Sequence, residues 1–527
     1  MPSSAVQEIR EQVNSQLDGG VTIVVLGASG DLAKKKTYPA LFKLFKNGFL
    51  PEKTHIVGYA RTKMNHDEYI QRISQYIKVN GAKALYKTLQ WVPDNQAMKK
   101  QLEDFLAITS YQSGQYDQDE GFQNLDAYIS KFETDSGFKD SSKHRIFYMA
   151  LPPSVFVPVA KGLKKNAYSA NSINRLVVEK PFGMDSESSN NLARELGALF
   201  REEEIYRIDH YLGKEMVKNL MTIRFANVFF GQIWDRRNID NVQITFKEPF
   251  GTEGRGGYFD EFGIIRDVIQ NHLLQVLSLI AMERPISTDA EAIRDEKVKV
   301  LKCISPIELE DALLGQYVGD GDKPGYLEDD SLKNKESVTP TFAALTMFID
   351  NERWEGVPFI LKAGKALDQA KVEIRIQFRN VSGNLFKDTP RNELVLRVQP
   401  SEAVYVKMNN KHPGLSFQTI QSELDLTYNR RYSEMSIPDA YEALILDVLR
   451  GDHSNFVRDD ELDAAWKIFT PLLHKIDNEK VQPKPYKYGS RGPEELDDFI
   501  RKYGYDRTGS QSYVWPIQSV ADQNAKL

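Results

Sequence analysis

VTIVVLGASGDLAKKK, residues 21–36, decides how the first half of the chain is built. Val21 to Leu26 is a short apolar run rich in β-branched residues and closed by Gly27, the pattern of a buried strand. A helical pattern follows from Leu32 to about Asn47. Gly27, Ala28, Ser29, Gly30, Asp31 and Leu32 therefore form the turn from strand to helix. This turn is a variant of the dinucleotide fingerprint, with Ser29 in the place of the middle glycine. Gly27 permits the tight turn, Gly30 lets backbone approach a pyrophosphate, and Ala33 permits close helix–strand packing. The helix N-terminus adds oriented N–H groups for the anion. A GxxxxGK[ST] phosphate loop does not fit, because its second glycine would fall on Leu32.

Working outward, HIVGYA (55–60), RIFYMAL (145–151) and RLVVEK (175–180) read as further strands, with polar helical material over roughly 66–105. Strands alternating with helices predict βαβ units and a Rossmann-type, doubly wound parallel sheet over residues 21–206. Residues 1–20 read as a loose, partly helical tail. Past residue 235 the texture changes. NVQITFKE (241–248), KVKVLKCI (297–304), TFAALTMFID (341–350), PFILKAG (358–364), KVEIRIQF (371–378), NELVLRVQP (392–400) and AVYVKM (403–408) read as strands. Several alternate polar and apolar residues, which predicts a large, mainly antiparallel sheet with one face covered. Helical segments at about 261–283 and 438–449 are expected to cover it, giving an α+β domain over 207–527.

At 527 residues the chain is too long for one core, so two domains are the default. Its 41% hydrophobic and 27% charged content is that of an ordinary globular protein. The formal net charge of −6 and the lack of a basic stripe argue against a nucleic-acid partner. An anionic substrate must then be held by local Lys, Arg and His against the overall field. No apolar run has the length of a membrane span, and the N-terminus lacks the apolar core of a secretory signal. One cysteine, Cys303, allows no intrachain disulfide and no Cys-based metal site, and reads as a small buried hydrophobe in a reducing compartment. No metal-ligand spacing is evident among the eight histidines, so no metal is expected. A cytoplasmic location is expected. Ala525-Lys526-Leu527 is one conservative step from a peroxisomal address and adds a secondary, peroxisomal expectation.

RIDHYLGK (207–214) is the densest chemical stretch. Asp209, His210, Tyr211 and Lys214 place a carboxylate, an imidazole, a phenol and an ammonium just ahead of a helix-favouring run from Glu215. Such a loop suits a phosphate; the alternative is an ordinary solvated loop with one buried His. The second strand ends Tyr59-Ala60-Arg61-Thr62 rather than on Asp or Glu. Arg61 is suited to stack on adenine and pair with a 2′-phosphate, which favours NADP over NAD; the alternative is a surface Arg. Ala150-Leu151-Pro152-Pro153 would form a rigid loop where nicotinamide should lie. Lys180, in Glu179-Lys180-Pro181-Phe182-Gly183, stands at a strand's carboxyl edge, where ligands bind in open α/β sheets. Asp267 and His272 are five apart, about 140° around an α-helix, so they do not share one narrow face there. His272 reads either as a hydrogen-bonded core residue or as a general base paired with a carboxylate, Asp209 being the candidate.

GASGDLAKKK (27–36), EKPFG (179–183), RIDHYLGKE (207–215), FGTEGRGGYFDEFGIIRD (250–267) and YGSRGP (488–493) together closely resemble the glucose-6-phosphate dehydrogenase family, its fungal members above all, from Val21 to about Trp515. The resemblance implies oxidation of glucose 6-phosphate at C1 with hydride transfer to NADP. It implies that His272 is the general base and that Asp209 orients it. His210, Tyr211 and Lys214 would grip the 6-phosphate, and Lys180, Glu248, Asp267 and Lys365 would bind sugar hydroxyls. It implies a homodimer or homotetramer built through the large sheet. Some eukaryotic members bind a second, structural NADP, and Lys371, Arg375, Arg397, Lys407, Arg491 and Trp515 match parts of that pattern. Two positions depart from it. Ala370 stands where many relatives are basic, and Lys362 where animal enzymes have Arg. The competing reading from another class is a catalytically silent, NADP-binding regulator.

Overall fold

Seven consecutive buried residues, Gly20–Leu26, form β1, the strand on which the first half is organised. The computed structural model describes residues 3–88, 96–386, 389–432, 435 and 437–505. Two units emerge. One comprises Met1–Lys218, Leu274–Lys302 and Met435–Thr470; the other comprises Asn219–Leu273, Cys303–Glu434 and Pro471–Leu527.

In the first unit β1 is joined by β2 (Lys53–Ala60), β3 (Thr109–Ser113), β4 (Arg145–Met149), β5 (Asn174–Glu179) and β6 (Ile205–Ile208). The strand order is β3-β2-β1-β4-β5-β6 and every pairing is parallel. This is the doubly wound arrangement that the apolar runs predict. The expected helix after the turn begins with a π-helical segment, Ala33–Thr37, and continues as Tyr38–Lys46.

Residues 1–20 are not a loose tail. Ser3–Leu17 is a helix whose Val6, Ile9, Val13 and Leu17 form one apolar stripe against the core, with Val13 and Leu17 fully buried. Arg175 and Arg450 pin it by donating to Gln16 and Gln12. A boundary at 206/207 would fall inside β6. The first unit also takes in the helix Ala440–Arg450, expected over the large sheet: its Leu444, Ile445, Val448 and Leu449 lie in the same core as Leu41 and Leu44.

KVKVLKCI is not a strand. The helix Ala290–Leu301 ends inside it and buries Ile293, Arg294, Lys297, Val298, Val300 and Leu301, pairs three to four apart rather than an alternating set. The lysine inside that set has an ionic partner: Lys297 and Glu461, both fully buried, are 2.9 Å apart. Cys303, just past the helix, is half-buried rather than buried.

The second unit holds β7 (Ile239–Lys247), β8 (Ala312–Val318), β9 (Phe342–Met347), β10 (Phe359–Gly364), β11 (Lys371–Phe378), β12 (Glu393–Gln399), β13 (Ala403–Lys411), β14 (Thr419–Thr427) and β15 (Lys484–Lys487). Their order is β14-β13-β12-β11-β7-β10-β9-β8-β15. The pairings are antiparallel except β7 with β10 and β8 with β15. The helical stretch expected at 261–283 is broken at Gly263, whose φ of 65° separates Gly256–Ile264 from a π-helix, Ile265–Leu273.

Lys297→Met leaves the Glu461 carboxylate buried without its cation. It is expected to cost about 3–5 kcal/mol in urea unfolding, and Lys297→Met with Glu461→Leu to recover most of that. A loss below about 1 kcal/mol in the single variant would remove the pair from the stability of the first unit.

Candidate active site

In the first unit, five of the residues or turns singled out in the sequence follow the carboxyl end of a strand. β1 delivers the Gly27 turn, β2 Arg61, β4 the Ala150–Pro152 loop, β5 Lys180 and β6 Asp209. Parallel strands share one direction, so all five ends lie at the same edge of the sheet.

The turn after β1 is closed by Gly27 N–H and Ala28 N–H, which donate to Tyr59 O at 2.8 and 3.2 Å. Gly27 has φ +78°, and a Cβ there would sit 2.3 Å from Ala150 O. Only glycine satisfies both constraints. Gly30 N–H donates back to Gly27 O at 2.8 Å and folds the chain into the helix start at Asp31. The first amides of that helix have no carbonyl within it, the condition for holding a pyrophosphate oxygen. Asp31 lies beside Lys34 and Lys35, each 2.9 Å away. Hydrogen bonds from Lys35 and then Lys34 lower its carboxyl to about 2. Arg61 is exposed, its guanidinium 5.4 Å from the centre of the Tyr116 ring. That pair offers a flat cationic platform beside the turn. The turn, the free helix start and the platform fit a phosphorylated dinucleotide.

Lys180 is half-buried, and its neighbour Glu179 is buried. The Tyr148 hydroxyl donates to Glu179 Oε1 at 2.6 Å. Burial raises the Glu179 carboxyl to about 7; Tyr148 and Lys180 oppose the rise and Asp209 adds to it.

After β6, Asp209 is 2% exposed and its Oδ1 accepts from Tyr211 N–H at 2.9 Å. The chain then turns tightly, with Leu212 N–H donating to Asp209 O at 3.0 Å and Lys214 N–H to Tyr211 O at 3.1 Å. Lys214 Nζ lies 5.0 Å from the centre of the Tyr211 ring. His210 stacks on Tyr441, ring centres 5.9 Å apart and planes 10° apart. The helix Glu215–Phe225 starts at once. Imidazole, ammonium and helix start are thus gathered in one turn, as a phosphate requires.

In the second unit, Glu248 and Lys365 directly follow the neighbouring parallel strands β7 and β10. Lys365 Nζ donates to Glu248 Oε2 at 2.6 Å. Asp267 and His272 lie in the π-helix. Its hydrogen bonds run between residues five apart, so these two stand nearly one above the other. The separation of about 140° holds for an α-helix and not for this segment. His272 is 3% exposed, and its backbone N–H donates to Asn271 Oδ1 at 2.7 Å. Asn271 in turn donates to Arg266 O at 2.9 Å.

Lys371, Arg375, Arg397 and Lys407 sit on β11, β12 and β13 of the same sheet. Arg375 pairs with Glu373 at 2.8 Å and with Glu393, and Lys407 with Glu393 at 3.2 Å. Lys362 donates to Gln243 at 2.6 Å. Burial, with help from Lys247, Lys371 and Arg375, lowers its ammonium to about 7. Arg491 is exposed and pairs with Asp497 at 3.4 Å. Trp515 and the terminal Ala525-Lys526-Leu527 lie outside the described residues. Sequence reasoning overlooked Glu179, Tyr116 and Tyr441. Glu179 stood inside a quoted motif beside Lys180, whereas nothing in the local sequence marks Tyr116 or Tyr441.

A doubly wound parallel sheet with a glycine turn at its carboxyl edge, followed by a mixed nine-stranded sheet, defines a two-unit, dinucleotide-dependent oxidoreductase. Residues 24–219 match the family model of the glucose-6-phosphate dehydrogenase NAD binding domain, and residues 221–513 that of the glucose-6-phosphate dehydrogenase C-terminal domain. The chain is 57% identical over 521 residues to a glucose-6-phosphate 1-dehydrogenase of Emericella nidulans, covering 98% of each. It is 55% identical over 505 residues to the cytoplasmic glucose-6-phosphate 1-dehydrogenase 5 of Arabidopsis thaliana, covering 94% of this chain and 93% of that one. Among solved structures, a glucose-6-phosphate dehydrogenase in complex with its substrate glucose-6-phosphate superposes with a TM-score of 0.87 at 51% identity, over 93% of this chain and 99% of that one. The chain belongs to the glucose-6-phosphate dehydrogenase family. It is therefore an enzyme, which sets aside the silent regulator.

Glu179 gives this arrangement a pH signature. The folded chain keeps a proton at about 7 that the carboxyl's ordinary value of 4.5 would release. Stability is thus lost as pH rises from about 4.5 through about 7 and is level beyond. Glu179→Gln removes this titration. Relative to the wild type it is expected to gain roughly 2–4 kcal/mol between pH 5 and pH 8. Equal differences in unfolding midpoint at both pH values would contradict the protonated, buried carboxyl.

Proposed function

We propose that the chain oxidises glucose 6-phosphate at C1 to 6-phosphogluconolactone with NADP as acceptor, the first step of the oxidative pentose phosphate pathway. The observation that carries this reading is the turn 209–214 at the edge of the same sheet that carries the Gly27 turn. When bound, NADP supplies the nicotinamide C4 that accepts the hydride. Gly27 to Leu32, Pro152 and Lys180 hold the dinucleotide, and Arg61 pairs with its 2′-phosphate. The exposed Arg61 over Tyr116, with no carboxylate ending β2, supports NADP rather than NAD.

His272 takes the proton of the C1 hydroxyl as general base, and Asp209 orients it and stabilises the imidazolium. Their support is chemical: an imidazole 3% exposed and a carboxylate 2% exposed, the types and burial such a pair needs. His210, Tyr211 and Lys214 hold the 6-phosphate, while Lys180, Glu248, Asp267 and Lys365 hold sugar hydroxyls. The Lys365–Glu248 pair favours this, since a donor and an acceptor held together match a hydroxyl's dual needs.

Three further parts belong to the proposal. Four cations, Lys371, Arg375, Arg397 and Lys407, share the two carboxylates Glu373 and Glu393, and that surplus favours a second, structural NADP. A homodimer or homotetramer through the large sheet is favoured by exposed Phe417, Ile420 and Leu424 on and beside the edge strand β14. Work in the cytoplasm is favoured by relatives named for that compartment. No helix among the described residues is long and apolar enough to cross a membrane.

His272→Asn is expected to lower kcat by about two to four orders of magnitude while glucose 6-phosphate still protects against thermal unfolding. Unchanged kcat would remove His272 from the chemistry. Lys214→Ala should raise KM for glucose 6-phosphate at least about tenfold with a smaller change in kcat. Arg61→Ala should raise KM for NADP about tenfold and KM for NAD, which loses only the adenine stack, far less. A parallel rise for both dinucleotides would reject the 2′-phosphate assignment.

A further inference from the structure

The turn 209–214 gains its shape from a helix more than two hundred residues away in sequence. The helix Ala440–Arg450 opens on Asp439, whose carboxylate accepts from Tyr441 N–H and Glu442 N–H at 2.9 and 3.0 Å. It closes on Gly451, which is left-handed at φ 74°. Both ends are thus fixed, and one face meets the turn at three successive levels. At the first, the Tyr441 ring lies flat against His210, 5.9 Å between centres and 10° between planes. At the second, Ala440 O and Leu444 press on Gly213, where a Cβ would come within 2.5 Å of the carbonyl and 2.9 Å of Leu444 Cγ. At the third, Asp447 accepts from Lys218 at 3.0 Å. Lys218 lies one helical turn past Lys214, and its N–H donates to Lys214 O at 3.0 Å. Residues 440/441, 444 and 447 recur every three to four positions, so they form a single stripe.

Asp447 is 4% exposed, and Asn455 also donates to it at 2.8 Å. Lys218 is therefore held by a carboxylate that is itself fixed. A side chain spent on that ion pair is not free to hold substrate, so Lys218 anchors the helix whose first turn faces the phosphate. The opposite side of the 440–450 helix reaches the helix that follows the dinucleotide turn. Lys43 lies 3.1 Å from Asp439 and 3.6 Å from Glu442, and Asn47 donates to Glu442 at 3.3 Å.

We propose that the 440–450 helix is the template that fixes the phosphate-holding turn, with Tyr441 and Asp447 as positioning residues for glucose 6-phosphate. This rests on the reading that His210 and Lys214 hold the 6-phosphate. Tyr441 limits the imidazole to one plane, so its N–H points in one direction before the substrate arrives. Asp447 fixes the register of the helix start through Lys218. Preorganisation of this kind lowers the ordering cost of binding and shows in KM rather than in kcat.

The test compares Tyr441→Leu, Tyr441→Phe and Asp447→Asn with Lys214→Ala in the full chain, measuring kcat and KM for both substrates. Inorganic phosphate serves as a competitive probe of the turn. Tyr441→Leu and Asp447→Asn are expected to raise KM for glucose 6-phosphate, and the inhibition constant of phosphate with it, about three- to tenfold. KM for NADP and kcat should stay within about twofold of wild type. Tyr441→Phe keeps the ring and should restore wild-type values. If Lys214→Ala leaves KM unchanged, the phosphate reading itself fails. If Lys214→Ala raises KM and the Tyr441→Leu and Asp447→Asn variants do not, or if Tyr441→Phe behaves as Tyr441→Leu, the template is overturned. Should Tyr441→Leu fail to fold, Asp447→Asn with the phosphate titration decides alone.

Discussion

Strand direction is the constraint on which the rest of the molecule depends. In a sheet of six parallel strands every carboxyl end faces the same way, and five of these six ends carry a chemical group. The Gly27 turn, Arg61, Pro152, Lys180 and Asp209 come from five strands scattered over nearly two hundred residues, and one edge collects them. The second unit repeats the device on a smaller scale. Its sheet is mostly antiparallel, yet β7 and β10 run parallel, and it is their carboxyl ends that carry Glu248 and Lys365. An antiparallel pair at that position would have sent the two groups to opposite ends.

Held at such edges, charged groups must be fixed without being neutralised. The chain does this by setting each group against a neighbour that is itself held in place. Asp209 is fixed by a backbone amide, Lys218 by a buried aspartate, and the His210 ring by the face of Tyr441. His210 and Lys214 themselves stay half-buried, where a phosphate could reach them. Glu179 follows another rule. Deep burial favours its neutral form, so the floor beside Lys180 and Asp209 adds less negative charge to the region proposed to hold anions.

What the sequence discloses follows from how each element buries itself. β1, β2, β4 and β5 are apolar runs because both faces are covered, and so they stand out. β3 and β14 are edge strands with polar, part-exposed sequences, TSYQS and TIQSELDLT; the first has no alternation, and in the second Ser422 interrupts the apolar face of Ile420, Leu424 and Leu426. β6 is hidden inside a motif whose chemistry draws the eye first. KVKVLKCI misleads because five residues of alternation imitate a strand, whereas the helical set Ile293, Lys297 and Leu301 shows only over a longer window that admits a buried lysine. The stripe Val6, Ile9, Val13 and Leu17 was legible and is the packed face of the first helix. The candidate groups were legible because each lies in a compact motif. Their mutual placement was less so: the π-helix that aligns Asp267 with His272 has no composition of its own, and Tyr441 joins the turn only through tertiary packing.

The account stands most directly on whether one edge serves both a phosphorylated dinucleotide and a phosphorylated sugar. Reduced nicotinamide should be followed at 340 nm after mixing the full chain with each dinucleotide and each sugar in turn. Rapid formation with NADP and glucose 6-phosphate, with little from NAD and almost none from unphosphorylated glucose, is the expected result. Equal rates with and without the sugar phosphate, or no turnover by a folded chain that still binds NADP, would contradict it.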